Sequence, residues 1–318
     1  MNDRAKIRKL IEEAEAITIW GHGLPDGDCY GCQMGLKNLI KGNFPDKRVY
    51  AIGSGLPAFF PMMGAMDDPT DEEIKASLGI LVDVSCLRRV EDQRVMLCKD
   101  YCKFDHHTPN PGSEDFPFPC LVEHERVSCA EVIADYALSL GWRIGKEAAG
   151  PLYLGMATDS GKFVFPGTTK RTFELAAKLI ESGADPKRIL GLAFYESDEV
   201  KKYKRIMRGN TKFKGGVSYC EMHPEQYEEF GLSFKDAGDL CNAISSVHRC
   251  NIYVLSTFDR DGTIRVEMRS NRGYPVVDAA KSFGGGGHRF AAGINYPPAK
   301  DYDLMAIVDA CSHVKPYN

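Results

Sequence analysis

A short stretch near the N-terminus carries three side chains of the types that bind metal ions. Segment 22–28 reads HGLPDGD and contains one imidazole, His22, and two carboxylates, Asp26 and Asp28. Imidazole nitrogens and carboxylate oxygens are suitable ligands for Mn²⁺, Mg²⁺ or Zn²⁺. The same residues are also typical of a helix-capping turn, in which Asp26 or Asp28 accepts hydrogen bonds from free backbone N–H groups. This stretch alone leaves both interpretations open.

Three further groups of polar side chains follow apolar stretches of the chain. In chain order they are Asp83, the run Asp105-His106-His107, and Asp159. A carboxylate beside a buried strand is costly unless it is paired or bound to a metal, although a helix cap would also satisfy it. Neighbouring side chains at a strand end point in opposite directions, so we expect His106 and His107 to have different roles.

The order of predicted elements places these groups in one kind of fold. Helices and strands alternate over residues 1–185, which predicts an α/β domain with a doubly wound parallel sheet. HGLPDGD connects a predicted strand, 16–21, to a predicted helix, 29–41. Ligands of such sheets bind beyond the carboxyl ends of the strands, where this turn would lie.

The second half of the chain predicts a smaller domain. We expect a catalytic domain over 1–190, a helical linker over 191–209, and a smaller α/β domain with a mixed sheet over 210–318, with a cleft between the two domains. An Asp261-Gly262 turn predicts a β-hairpin in the second domain.

A run of four glycines in the second domain precedes His288 and Arg289. Open backbone N–H groups beside an imidazole and a guanidinium favour the binding of a phosphate. A flexible hinge is the alternative for the glycines alone.

Composition narrows the class of partner. The chain has 318 residues and a net charge of -4, which argues against the broad basic surface that long nucleic acids require.

We expect no membrane span, since no apolar run is long enough. The 11 cysteines are odd in number and scattered along the chain, which does not suggest a disulfide framework. We therefore expect a reducing compartment and a cytoplasmic protein. We interpret Cys29 and Cys32 as buried helix residues, with a redox pair or a zinc site as the alternative.

Taken as an ordered set, the motifs resemble the DHH phosphoesterase superfamily. The resemblance rests on HGLPDGD, Asp83, Asp105-His106-His107 and Asp159, and it covers both halves of the chain. The ending GGGGHRFAAG, preceded by Met268-Arg269-Ser270, is similar to the DHH-associated domain. Within the superfamily the chain most resembles the bacterial group of bifunctional oligoribonucleases and PAP phosphatases, or nanoRNases. Cys29 and Cys32 depart from the pattern, where small residues without a thiol are usual.

The resemblance implies a site with two divalent ions, Mn²⁺ first and Mg²⁺ or Co²⁺ as alternatives. The implied ligand sets are His22, Asp26 and Asp83 for one ion, and Asp28, Asp83, His106 and Asp159 for the other. Catalysis would involve the shared Asp83 and also His107, beside the scissile phosphate. The residues implied for substrate phosphate are Arg269, Ser270, Gly286, Gly287 and His288.

The resemblance also implies a reaction. A hydroxide activated by two ions would hydrolyse short oligoribonucleotides, 3'-phosphoadenosine 5'-phosphate (PAP), or both. Hydrolysis of linear dinucleotides derived from cyclic ones is an alternative, and so is hydrolysis of polyphosphate or pyrophosphate. The expected partners are short RNA or nucleoside bisphosphates, not long duplex nucleic acid or a membrane. A homodimer is left open.

Overall fold

The structure is a computed structural model that describes residues 2–107, 116–165, 167–271 and 273–317. The chain divides into two compact units, Met1–Tyr195 and Glu196–Asn318. Within the described residues, no helix has both the length and the apolar character needed to cross a bilayer.

The first unit is built on a parallel sheet. Its strands are β1 (Ala16–Trp20), β2 (Arg48–Ile52), β3 (Leu78–Val82), β4 (Asp100–Asp105) and β5 (Cys120–Val122). In the described part of the chain these five strands lie in the order β2-β1-β3-β4-β5, and every neighbouring pair is parallel. The predicted doubly wound sheet is confirmed. Since the strand order reverses between β1 and β3, the loops after these strands diverge and open a crevice at the carboxyl edge.

Helices and short turns cover both faces of this sheet. The helices are α1 (Asp3–Glu13), α2 (Gly27–Asn43), α3 (Phe60–Met63), α4 (Asp71–Lys75), α5 (Cys129–Ser139), α6 (Lys146–Asp159), α7 (Lys170–Glu181) and α8 (Pro186–Ala193). Ile17 and Ile19 pack into the large core that contains α2, α5 and α6. Trp20 and Leu81 pack into a smaller core on the opposite face. With both faces covered, β1 and β3 are buried along their whole length.

Helix α2 packs against α6 at very short range. Gly27, Gly31 and Gly35 recur every four residues and therefore share one face of α2. A Cβ atom added to Gly31 would lie 2.4 Å from the carbonyl oxygen of Pro151 on α6. These glycines let the backbones of the two helices approach more closely than any side chain would allow.

The direction of this packing brings two predicted site residues together. Gly27, at the start of α2, faces Thr158, near the end of α6, so the helices are antiparallel. A Cβ atom on Gly155 of α6 would lie 2.6 Å from Oδ1 of Asp28. The first turn of α2, with Asp28, is therefore next to the last turn of α6, which ends at Asp159.

The second unit contains a mixed sheet, as predicted. Its strands are β6 (Lys212–Lys214), β7 (Val217–Met222), β8 (Ile252–Phe258), β9 (Ile264–Ser270), β10 (Gly286–His288) and β11 (Ala291–Tyr296). Their order in the described residues is β10-β11-β9-β8-β7-β6; β7 and β8 are parallel, and the other neighbouring pairs are antiparallel. The predicted hairpin joins β8 to β9, with Gly262 at a φ of 89°.

The remaining helices belong to the second unit. They are α9 (Asp198–Asn210), α10 (Pro224–Glu228), α11 (Phe234–Asp239), α12 (Val277–Ser282) and α13 (Leu304–Ser312). The segment expected to be one helical linker, 191–209, comprises the end of α8, a stretch outside helices at 194–197, and most of α9.

The contact between α2 and α6 predicts a large effect of a single methyl group. Gly31→Ala should lower the free energy of unfolding by about 1–3 kcal/mol, because the added Cβ overlaps backbone atoms that cannot move alone. Gly42→Ala is the matched control: it lies in the same helix, and its added Cβ has no described heavy atom within 4 Å. Alanine there should stabilise the helix by about 0.5–1 kcal/mol. Urea unfolding measures both, and equal effects would contradict the close packing.

Candidate metal centre

Three strands of the parallel sheet bring the predicted side chains to one edge. His22 lies two residues after β1, Asp83 directly follows β3, and Asp105 ends β4. The described residues form three groups in which one ligand atom from each member lies within 4.8 Å of the others. These groups are His22, Asp26 and Asp83; Asp28, His106 and Asp159; and Asp83, His106 and His107. All six predicted metal ligands therefore lie together with His107.

Asp83 lies at the centre of these groups. Its Oδ2 is 3.5 Å from Nε2 of His22, and its Oδ1 is 3.6 Å from Nε2 of His106. Oδ1 is buried and has no hydrogen-bond partner among the described residues. Asp83 also has a φ of 56°, in the left-handed region that non-glycine residues seldom adopt. A buried carboxylate oxygen without a donor is costly, and a cation beside it would remove that cost.

Asp26 and Asp28 serve as helix caps and also lie in the site. Oδ1 of Asp26 accepts hydrogen bonds from the backbone N–H groups of Asp28 and Cys29, both at 3.0 Å. The carboxylate of Asp28 accepts from the N–H groups of Cys129, at 2.7 Å, and Ala130, at 3.0 Å, in the first turn of α5. The two interpretations of HGLPDGD are therefore compatible, because each carboxylate retains lone pairs for a metal.

Burial disfavours the charged form of the carboxylates in the site. It raises the pKa of Asp28, and the nearby carboxylates of Asp159 and Asp83 raise it further. The pKa of Asp159 is raised by burial and by Asp26 and Asp83. Within the described residues, no lysine or arginine forms a salt bridge to Asp26, Asp28, Asp83 or Asp159. A divalent cation would supply the missing positive charge.

His22 and His106 both lie beside Asp83, and their pKa values are shifted in opposite directions. The hydrogen bond with Asp83 raises the pKa of His22 to about 9, so in the metal-free protein this ring is a cation beside the carboxylates. Burial lowers the pKa of His106. Nδ1 of His106 donates to the backbone oxygen of Arg126 at 3.2 Å, which leaves the lone pair of Nε2 for a metal.

Nε2 of His106 faces several carboxylates at once. It lies 3.4 Å from Asp159 Oδ2, 3.6 Å from Asp83 Oδ1 and 3.9 Å from Asp28 Oδ2. A neutral nitrogen and three carboxylates all direct lone pairs towards the same space. The donor set therefore fits a hard or borderline divalent cation.

Asp105 orients the neighbouring histidine instead of joining the ligands. Its Oδ1 lies 2.8 Å from Nδ1 of His107, and its Oδ2 lies 2.8 Å from Nζ of Lys103. Burial alone would raise the pKa of Asp105, but the bond from His107 and the charge of Lys103 lower it overall. The hydrogen bond to Asp105 raises the pKa of His107.

Sequence reasoning missed Lys103. The signal was present, because Lys103 stands between the apolar residues Cys102 and Phe104 of a strand, two residues before Asp105 and therefore on the same face.

The residues predicted to bind phosphate lie in the second unit. The backbone positions of His288, Ala291 and Arg269 form one row across β10, β11 and β9. Nη1 of Arg269 lies 2.7 Å from Oε2 of Glu267, and Oγ of Ser270 accepts from the N–H of Tyr274 at 2.8 Å. The side chain of His288 lies outside the described part of the structure.

The four glycines have different surroundings. Gly284 and Gly285 donate their N–H groups to the carbonyl oxygens of Lys281, at 3.0 Å, and Ala280, at 2.9 Å, and so end α12. Gly286 and Gly287 belong to β10, which is an edge strand of the described sheet. An anion would have only the later part of the glycine run available, and the sheet pairing argues against a free hinge there.

Two family models match the chain, one in each unit. The DHH family, N-terminal domain, matches residues 16–156, and the DHHA1 domain matches residues 214–313. The chain is 32% identical over 287 residues to the bifunctional oligoribonuclease and PAP phosphatase NrnA of Mycoplasma genitalium, with 89% of each chain covered. It is 26% identical over 295 residues to the protein of the same name from Bacillus subtilis, covering 91% of this chain and 92% of that protein.

The fold also recurs in a solved structure. An exopolyphosphatase-related protein from Bacteroides fragilis superposes with a TM-score of 0.80 at 22% identity, over 97% of this chain and 94% of the other. At this identity the similarity supports the architecture of both units and not a choice of substrate.

A divalent ion should stabilise the folded protein through Asp83. Saturating Mn²⁺ should raise Tm, since a ligand at about 100 times its Kd adds about 2.7 kcal/mol to the free energy of unfolding. Asp83→Asn should remove most of that rise, and asparagine tolerates the left-handed backbone. Asp185→Asn is the control, because asparagine caps a helix as well as aspartate does and Asp185 caps α8. An undiminished shift in Asp83→Asn would exclude Asp83 as a ligand.

The metal-induced shift should grow with pH. The raised pKa of His22 adds stability to the metal-free protein below pH 6.5, and this contribution is lost as the pH rises to about 9. Metal binding requires the neutral ring, so protons and metal compete for it. Differential scanning fluorimetry with and without Mn²⁺ should therefore show a larger difference in Tm at about pH 8 than at about pH 6. A constant difference would mean that metal binding does not displace the proton of His22.

Proposed function

Because the chain belongs to the DHH family of phosphoesterases, we propose that it hydrolyses short oligoribonucleotides and PAP with two divalent ions, Mn²⁺ in the first place. Membership of the family makes it a metal-dependent hydrolase of phosphoester bonds. The substrates are proposed from the two relatives, which bear the name of a bifunctional oligoribonuclease and PAP phosphatase.

The single observation that supports a two-ion site best is the position of Asp83. It shares one ligand group with His22 and Asp26, and its Oδ1 lies 3.6 Å from Nε2 of His106, a member of the group with Asp28 and Asp159. A carboxylate between two groups of donors is the arrangement expected of a ligand that bridges two ions. When bound, two such ions supply positive charge to the phosphoryl oxygens and lower the pKa of the attacking water.

His107 is proposed to act on the substrate. Its Nδ1 bonds to Asp105, so its Nε2 is the nitrogen left for the phosphate or the leaving oxygen. The side chain is 29% exposed, compared with 16% for His106, which agrees with a substrate-facing role for His107 and a ligand role for His106.

The second unit is proposed to bind the substrate phosphate through Arg269, Ser270, Gly286, Gly287 and His288. Glu267 holds one nitrogen of Arg269, which leaves its other N–H groups to donate to an anion. The overall charge of -4 agrees with short substrates, because long polyanions recruit broad basic surfaces.

Turnover of a substrate panel tests the proposal. With Mn²⁺, the protein should release phosphate from PAP and mononucleotides from RNA of two to five residues, and it should act poorly on a long single strand and on pyrophosphate. Asp83→Asn should lower kcat/KM by at least about 10³-fold, since it removes charge that stabilises the transition state.

Asp185→Asn is again the control and should keep full activity. Hydrolysis of pyrophosphate or polyphosphate alone would overturn the proposed substrates and leave the metal site intact. Preference for linear dinucleotides over PAP would favour the dinucleotide alternative.

A further inference from the structure

We propose that Lys103 is a positioning residue that fixes Asp105 and, through it, the ring of His107. The inference deepens the proposed function and rests on the role given there to His107. Among the described residues, the side-chain ammonium of Lys103 contacts Asp105 and Phe116 and forms no salt bridge with the candidate metal ligands.

Lys103 and Asp105 form a buried ion pair on one strand. Both lie in β4, two residues apart, and so point to the same face of the sheet. Nζ of Lys103 is 2.8 Å from Oδ2 of Asp105, and the two side chains are 6% and 2% exposed. A lysine this deeply buried is rare unless it is paired.

The other oxygen of the carboxylate is fully engaged with the two histidines. Oδ1 of Asp105 accepts from the backbone N–H of His106 at 2.8 Å and of His107 at 3.2 Å. It also accepts from Nδ1 of His107 at 2.8 Å. Lys103 therefore holds one oxygen while the histidine segment holds the other, so the carboxylate cannot rotate and the imidazole is fixed in one orientation.

An aromatic ring holds the lysine from outside the strand. Nζ of Lys103 lies 4.8 Å from the centroid of the Phe116 ring, and Phe116 stacks on Phe118 with centroids 4.9 Å apart. A cation over an aromatic face is attracted to it, most strongly where water is excluded. The ammonium thus has a defined place between Asp105 and Phe116.

A purely structural role explains this pair poorly. Its two members belong to the same strand, so the ion pair joins no separate elements of the fold. Apolar residues in place of a buried ion pair are often neutral or stabilising. The consequence that is specific to Lys103 is the orientation of Asp105, and hence of His107.

Lys103→Met tests the inference, with Lys37→Met as its matched control. Lys37 is 11% exposed and pairs with Asp67 at 2.7 Å, away from the candidate ligands. Lys103→Met should lower kcat by about 10–100-fold, the usual effect of removing an outer partner that orients an active-site histidine, with KM and the Mn²⁺ affinity unchanged. Lys37→Met should lower Tm by a similar amount and leave kcat unchanged. Unchanged kcat in Lys103→Met would overturn the proposal.

A double-mutant cycle separates positioning from general damage. Asp105→Asn should lower kcat as much as Lys103→Met, and the double variant should be no slower than Asp105→Asn alone, since both changes break one chain of contacts. Losses that multiply would overturn the proposal. If Lys103→Met does not fold, Lys103→Gln, which keeps a donor for Oδ2 without the charge, takes its place under the same criteria.

Measurements on two substrates distinguish a failure of this inference from a failure of the proposed function. The cycle is measured on bis(4-nitrophenyl) phosphate as well as on PAP. Turnover of the generic diester without turnover of PAP or short RNA would reject the proposed substrates, and the effect of Lys103→Met on that diester would still decide the role of Lys103.

Discussion

The first unit must hold four carboxylates close together although their charges repel one another. Asp26, Asp28, Asp83 and Asp159 meet at the carboxyl edge of the sheet, and burial raises the pKa of Asp28 and of Asp159. Charges of one sign in a region of low dielectric constant disfavour the folded state. The surrounding fold must therefore supply enough free energy to hold the carboxylates in place until a cation joins them.

Two backbone contacts hold these carboxylates in position. The close approach of α2 and α6 at Gly31 places Asp28 beside Asp159, and the first N–H groups of α5 bind the carboxylate of Asp28. The N-terminus of a helix carries partial positive charge, so α5 offsets part of the repulsion. Helix packing and helix capping, which are ordinary stabilising interactions, are here what fixes the geometry of the metal centre.

The sequence predicted the doubly wound sheet and the candidate ligands because both depend on local order. Apolar strands alternate with helices, and each ligand follows a strand or begins or ends a helix. It did not reveal that the carboxylate of Asp28 caps α5, since residues 28 and 129 are far apart in the chain. Nor did it reveal the left-handed backbone of Asp83, which only tertiary contacts can impose on a non-glycine residue. The structural roles of the four consecutive glycines, two of which end α12 and two of which form β10, likewise depend on which strand pairs with β10.

The charges around the site follow one rule. Asp105, which orients a histidine, forms a buried ion pair with Lys103. The carboxylates that face the candidate metal groups have no lysine or arginine partner among the described residues, and His22, with a pKa of about 9, lies beside Asp83. An imidazolium can lose its proton and become a ligand, whereas a lysine at this place would compete with the metal at every ordinary pH. Lys103 therefore pairs with Asp105, which is not a candidate ligand, whereas His22 carries a proton that a metal ion can displace.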